Sequence, residues 1–532
     1  MKAFNKTLLL ALFICLASFQ GFSQTAADEG LPKDYLTKEF HAGRREALRA
    51  LMPANSVAVI FAYPQRVFSN DVTYVYHPSP DLYYFTGYKE TSAVLLIFKE
   101  MQHGTDGDYN EVFFVQHRDP QQEQWTGKRL GVEGTKSQLG FAKVFNSEDF
   151  ANYPIDFKKF KVLYDNLPDD QGNMKPLYDA FKTKAALPDV NAELLRDMGI
   201  IAKYGNSRNI DRIQAYLKPK LDNPAYKSNA MLQDFLSKPD SVNLAIFKAK
   251  YNEQFSGQSD YADFTTKLRG VKTAEEMDLM RKTVRISCLA HAEVMRAIKP
   301  TMSETEIEGI FFYVHKHYGA EDEGYPPIVG SGGNTCILHY EENNVTQVKN
   351  QLVLMDVGAE YHGYSADVTR TIPANGKFTE AQKAIYQIVY DAQEEVFKLC
   401  KEGVPYGDLE TKTREILSAG LIKLGVIKDA GELSKYYPHG VSHPLGLDVH
   451  DKGEYGPLKE NMVITVEPGI YVPEGSPCDK KYWNIGVRIE DDVQVGKDHG
   501  ILLSADAPRK WEDVEKMIAE KSFYDLEHLP AL

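Results

Sequence analysis

Four carboxylates and one imidazole, Asp356, Asp367, His443, Glu467 and Glu490, sit in apolar or turn-forming segments of one stretch of the chain. Asp356 closes the run Gln351-Leu352-Val353-Leu354-Met355-Asp356, and Asp367 lies in Tyr364-Ser365-Ala366-Asp367-Val368-Thr369. His443 falls in Pro438-His439-Gly440-Val441-Ser442-His443-Pro444-Leu445-Gly446-Leu447-Asp448-Val449-His450-Asp451. Glu467 opens Glu467-Pro468-Gly469, and Glu490 ends Gly486-Val487-Arg488-Ile489-Glu490. Any one of them alone reads as an ordinary turn, edge or surface residue. Jointly they cannot share an interior without compensation, because burying unpaired charge is too costly. A fold that gathers them must gather cations with them, and two divalent ions among these five groups make a hydrolytic site.

The spacing supports convergence. Asp356 and Asp367 are eleven positions apart, joined by Gly358-Ala359-Glu360-Tyr361-His362-Gly363-Tyr364. That reads as a turn between two short strands, with glycines where a hairpin needs them. A hairpin can bring both carboxylates to one face. Side chains alternate along a strand, so Leu354 and Asp356 share a face, and so do Arg488 and Glu490, with Val487 and Ile489 on the other. Segments 352–372 and 463–495 read as corresponding halves of a duplicated unit. His439 and His443 are spaced as on one helix face, but Gly440 and Pro444 favour a loop. The His-Glu-x-x-His zinc signature is absent. Oxygen-rich ligation favours a hard ion: manganese first, with cobalt or zinc as substitutes. Two such ions acidify a water and polarise the bond it attacks.

The rest of the chain narrows the class. At 532 residues it is long enough for two domains with sizeable cores. A net charge of −14 without a basic stretch argues against a nucleic-acid partner. Lys2 and Lys6, an apolar core at 7–17 and the small residues Gly21 and Ser23 read as a secretory signal cleaved near Ser23-Gln24. That core is too short to span a bilayer of about 30 Å. The expectation is therefore an exported protein, periplasmic or secreted, with no membrane anchor once residues 1–23 are removed. Removal takes Cys15 with it. Cys288, Cys336, Cys400 and Cys478 lack metal-type spacing and are expected to be buried free thiols.

Apolar, β-branched runs at 57–61, 93–98 and 112–115 predict strands of a first domain. Helices are predicted at 191–203 and 274–298, the latter entered through a Thr273/Glu276 capping box and ended by Pro300. Thr379 with Gln382 starts another, running to about Cys400. Region 204–270 is polar and rich in single aromatics, and reads as a partly helical connector with an insertion.

At the five ligand positions the chain resembles the Xaa-Pro aminopeptidases (aminopeptidase P) of the pitta-bread metallopeptidase superfamily, which also contains prolidase, creatinase and methionine aminopeptidase. The resemblance extends through Tyr325-Pro326-Pro327-Ile328-Val329-Gly330-Ser331-Gly332, Ile337-Leu338-His339-Tyr340, Asn343 and Asn375-Gly376-Lys377-Phe378-Thr379. The N-terminal third is similar through Asp81-Leu82-Tyr83-Tyr84-Phe85-Thr86-Gly87-Tyr88 and through Arg118-Asp119, Glu123, Trp125, Gly127, Arg129 and Gly131. It departs at Tyr76-His77-Pro78-Ser79-Pro80, where the family carries a polar Arg-Gln-Asx-Ser run.

The resemblance implies an α+β protein: a small N-terminal α/β domain at 35–200, a connector at 201–272, a pitta-bread catalytic domain at 273–500 and a tail at 501–532. It implies two metal ions on the five ligands, Glu467 as general base and acid, and Asp356 drawing the substrate's free amino group. His339 and His450 would touch the reacting carbonyl, and His439 with Arg488 would seat the proline. The expected reaction releases the first residue from peptides with proline second. A prolidase confined to Xaa-Pro dipeptides is the alternative, against which Ser442 before His443 leans. A catalytically dead peptide-binding module of the same fold is the remote one, since all five ligands are present. A homo-oligomer, dimer or tetramer, is expected.

Overall fold

The β-branched runs near the N-terminus form the centre of a five-stranded mixed sheet. Ser56–Phe61 lies antiparallel to Val94–Gly104 on one side and parallel to Lys161–Tyr164 on the other. Gly107–Val115 pairs with Val94–Gly104 and carries Val144–Asn146 at the far edge. The strand expected at 93–98 is therefore one arm of a longer hairpin. Helix Lys38–Leu51, capped by the Thr37 hydroxyl on Phe40 N, packs on this sheet.

The computed structural model describes residues 34–105, 107–187, 191–207 and 209–523. The expected signal at 1–23, Cys15 and the last part of the expected tail lie outside them. The chain divides at position 36: Met1–Leu36 is one unit, of which 34–36 are described, and Thr37–Leu532 is the other. No helix of the described residues is long and apolar enough to cross a membrane.

Region 204–270 differs from the expectation. It is mostly helix: Ile210–Leu217, Pro224–Ser228, Ala230–Ser237, Ser241–Gln254 and Ser256–Gly270. These join Ala192–Tyr204, capped by Asn191, which runs across the 200/201 boundary expected between domain and connector. The helices enclose a core of their own that includes Leu194, Met198, Leu232, Phe247 and Phe255. Of the region's single aromatics, Tyr226, Phe235, Phe247, Tyr251 and Phe255 fill it, whereas Tyr204 and Tyr216 are exposed. Helix Ser256–Gly270 then seats on Lys161–Tyr164 so closely that a Cβ at Gly257 would lie 1.9 Å from the Val162 carbonyl oxygen.

The C-terminal half begins at helix Ala274–Ala297, with its Thr273/Glu276 capping box formed. Helices Glu304–His317, Glu380–Phe397 and Tyr406–Leu424 follow. They cover strands whose Val353, Met355, Val487 and Ile489 fill one extended core. The strands come as two double hairpins. In the first, Leu352–Asp356 pairs with Thr369–Pro373, and Ala359–Tyr361 pairs with Tyr364–Ser365 inside it. In the second, Val463–Val466 pairs with Asp491–Gln494, and Gly469–Val472 with Ile485–Arg488 inside it. This is the duplication read from the sequence. A bridge from Thr369 to Glu490 joins the two. Cys288 and Cys400 are buried, whereas Cys336 and Cys478 are half-buried; all four are free thiols.

Candidate active site

The kinks between outer and inner hairpins carry the ligands. Asp356 ends its outer strand, and Asp367 sits just before the returning one. Gly358 makes the crossing possible: a Cβ there would fall 1.9 Å from the Ala366 carbonyl oxygen. In the second unit Glu467 follows Val463–Val466, and Glu490 precedes Asp491–Gln494. His443 is on a loop, as Gly440 and Pro444 require.

All nine side chains singled out in the sequence line one cavity of about 410 Å³: Asp356, Asp367, His443, Glu467, Glu490, His339, His439, His450 and Arg488. Among the described residues, Asp367, His443 and Glu490 each offer a ligand atom within 4.8 Å of the others. The His443 Nδ1–H donates to the Pro444 carbonyl at 3.1 Å. This turns Nε2 toward the carboxylates, 3.4 Å from Asp367 Oδ2 and 3.6 Å from Glu467 Oε1, the orientation a metal-binding imidazole needs.

The carboxylates face one another with one guanidinium among them. Burial first, then Asp356 and Glu467, holds the Asp367 carboxyl well above its ordinary range. Burial and then Glu490 do the same to Glu467, and burial and then Asp367 to Glu490. Hard oxygen donors, an imidazole nitrogen turned toward them and a cluster of acidic groups that one guanidinium only partly offsets fit divalent cations.

Arg488 is only 3% exposed and is committed to other protein groups. Nη2 donates to Asp356 Oδ2 at 2.6 Å, Nε to Thr369 Oγ1 at 3.2 Å and Nη1 to the Tyr471 hydroxyl at 3.1 Å. Thr369 in turn donates to Glu490 Oε2 at 2.6 Å. One guanidinium therefore orients a ligand from each double hairpin. The substrate-binding role expected for Arg488 is joined by this orienting one, which strand alternation could not reveal.

His439 Nδ1 faces the Gly440 carbonyl at 2.8 Å and Glu467 Oε2 at 3.6 Å, so the proton belongs there. Nε2 accepts from the Tyr471 hydroxyl at 2.8 Å. Burial and then Arg488 push the His439 pKa down to about 4, so the ring is neutral at pH 7. His450 lies edge-on to His443, ring centroids 4.3 Å apart, and burial followed by His443 lowers its pKa. His339 and His450 are both exposed at the open side of the cavity.

Sequence reasoning assigned no role to Tyr325, although it stands in a quoted motif. Its hydroxyl lies 2.6 Å from Asp356 Oδ1 and 2.8 Å from Asp367 Oδ1, holding the first ligand pair together. Thr369 and Tyr471 were missed for the same reason: their partners are distant in sequence.

Comparison with known proteins agrees with this geometry. Residues 278–497 match the model of metallopeptidase family M24, and residues 41–161 that of the aminopeptidase P N-terminal domain. The chain is 31% identical to the Xaa-Pro aminopeptidase of Escherichia coli (strain K12), over 89% of its own length and 96% of the relative's. Among solved structures, Pseudomonas aeruginosa aminopeptidase PepP superposes with a TM-score of 0.69 at 30% identity, covering 91% of this chain and 98% of that one. Aminopeptidase P from E. coli with the inhibitor Pro-Leu gives the same four figures.

Proposed function

The chain belongs to the Xaa-Pro aminopeptidases of metallopeptidase family M24 and is a metallo-aminopeptidase, and we propose that it holds two divalent ions and removes the first residue from peptides with proline second. The observation that carries the proposal is the cavity in which five ligand side chains and three histidines meet. The ions would be held by Asp356, Asp367, His443, Glu467 and Glu490, with manganese preferred and cobalt or zinc as substitutes. Bound there, they supply Lewis acidity that makes water a nucleophile at neutral pH.

The protein's own groups do the rest. Glu467 takes the proton of the attacking water and returns it to the leaving amine. Asp356 attracts the substrate's ammonium group, which restricts cleavage to the first bond. His339 and His450, on the open side, hydrogen-bond the carbonyl as it gains charge. His439, neutral and braced by Tyr471, presents a flat face to the proline ring. Arg488 keeps Asp356 and Glu490 in place.

Hydrolysis of an Xaa-Pro dipeptide beside Xaa-Pro-Yaa-Zaa, with manganese added, tests this reading. Cleavage of the tetrapeptide is expected. Cleavage of the dipeptide alone would replace aminopeptidase by prolidase. Cleavage of neither, together with cleavage of peptides that lack proline, would remove the proline preference. Elemental analysis at saturating manganese should give two ions per chain.

The protein is further proposed to be exported, with residues 1–23 removed, and to work as a dimer or tetramer. The charged start and short apolar core of the sequence support export. N-terminal sequencing and light scattering of protein from its source decide these points: an intact Met1 or a monomer would reject them.

A further inference from the structure

Among the described residues no hydrogen bond holds His450; its ring lies edge-on to His443, and the backbone that carries it sets its place. Two acidic residues flank it in the loop, Asp448 and Asp451, and both end on the same guanidinium. Arg269 Nη2 donates to Asp448 Oδ2 at 2.9 Å and also to Asp451 Oδ1. Arg269 comes from helix Ser256–Gly270, outside the catalytic half, and is only 2% exposed. Its Nη1 donates to Asp81 Oδ1 at 2.7 Å, in the first lobe. We propose that Arg269 is a positioning residue for His450, anchoring both sides of the histidine to the helical lobe and the first sheet domain.

The loop is built to transmit that anchoring. Its ends meet through Asp451 N to the Pro444 carbonyl at 3.0 Å and Gly446 N to the Asp448 carbonyl at 3.1 Å. A Cβ on Gly446 would stand 2.1 Å from Asp451 Oδ2, so Asp451 packs directly against the loop's own turn. Lys272 Nζ closes the arrangement, donating to Asp451 Oδ2 at 3.2 Å and to the Arg269 carbonyl at 2.8 Å. The planar fork puts Nη2 on Asp448 and Asp451 and Nη1 on Asp81, a two-nitrogen geometry that the single ammonium of a lysine does not reproduce. Moving the fork therefore tilts the short arc Asp448–Asp451 and shifts the His450 ring against its edge-on neighbour His443. Such a shift of a substrate-side group lowers turnover while every metal ligand keeps its own donor atom.

The inference rests on the reading of His450 as a substrate-side group, and a double-mutant cycle separates the two. With manganese and an Xaa-Pro-Yaa-Zaa peptide, Arg269→Lys should lower kcat by roughly 10–100-fold, the usual effect of losing a supporting partner, with bound metal unchanged. In the His450→Ala background the same change should cost no more than about twofold, because its effect runs through the missing ring. A merely structural role would cost the same factor in both backgrounds. The proposal is overturned by that equal cost, by loss of metal in Arg269→Lys, or by a kcat within about twofold of wild type. If His450→Ala alone leaves kcat unchanged, the reading of His450 fails and the positioning role goes with it. Should Arg269→Lys not fold, Asp448→Asn, at a half-exposed position, carries the same cycle with the same expected pattern.

Discussion

Arg488 Nη2 and Asp356 Oδ2 are 2.6 Å apart at the floor of the cavity, and the same guanidinium reaches Glu490 through Thr369. A cation that protein side chains supply permanently thus offsets part of the negative charge and fixes two ligands whose strands are far apart in the chain.

Replacing that fork by an ammonium should disturb both ligands together. Arg488→Lys is expected to weaken metal binding by roughly 10–100-fold, the range seen when outer-shell partners are lost. Titration of the metal-free protein with manganese measures it. Unchanged affinity would show that Arg488 serves only the substrate.

The Tyr325 hydroxyl sits between Asp356 and Asp367. Tyr325→Phe removes the bond but keeps the ring, so affinity for metal should fall by about 10-fold or more. Turnover at saturating metal should recover most of its wild-type value. A turnover defect that excess manganese does not relieve would count against a purely orienting role.

Glu467→Gln keeps an oxygen donor but loses the proton acceptor. Turnover should drop by roughly 10²–10⁴-fold, the usual worth of general acid–base catalysis. Most of the metal should remain, as elemental analysis would show. A variant that keeps normal turnover would move the base elsewhere.

Away from the site, His77 Nε2 lies 2.8 Å from Glu360 Oε2, joining the first lobe to the inner hairpin of the catalytic half. The bond to Glu360 raises the His77 pKa above its ordinary 6.5, against the opposing effect of burial. A raised histidine pKa stabilises the fold fully below 6.5, and that stability is lost as pH rises through the folded value. His77→Asn should therefore lower the melting temperature at pH 5.5 more than at pH 9. Because the His77 side chain is 49% exposed, the difference should be small. Equal losses at both pH values would mean that charge at His77 contributes nothing.

Much of the site was legible because its chemistry demands rare residues in exposed grammatical positions. Asp356 at the end of an apolar strand and Glu490 in alternation with Val487 and Ile489 can be read without tertiary knowledge. Helix starts were legible for a similar reason, since the Thr273/Glu276 and Thr379/Gln382 boxes are local. A third box, Ser303/Glu306, carried the same signal and was passed over. What escaped depends on partners brought close only by folding: the Tyr325 hydroxyl, the Thr369 relay and the Arg269 fork. The helical lobe had a readable sign, because Leu244, Phe247 and Tyr251 recur at helical spacing and all three are buried. Lys248 and Lys250 between them, with Asn243 and Asn252 on either side, masked it as polar connector.

The two double hairpins, joined at Thr369 and Glu490, also set an order of events during synthesis. The first half-site leaves the ribosome with only Asp356 and Asp367, and it must wait for His443, Glu467 and finally Glu490. Until the second hairpin closes, no nascent chain owns the full ligand set, whereas the first sheet domain has long since emerged. Peptide cleavage is therefore a property the chain acquires late, after its other parts are free to fold.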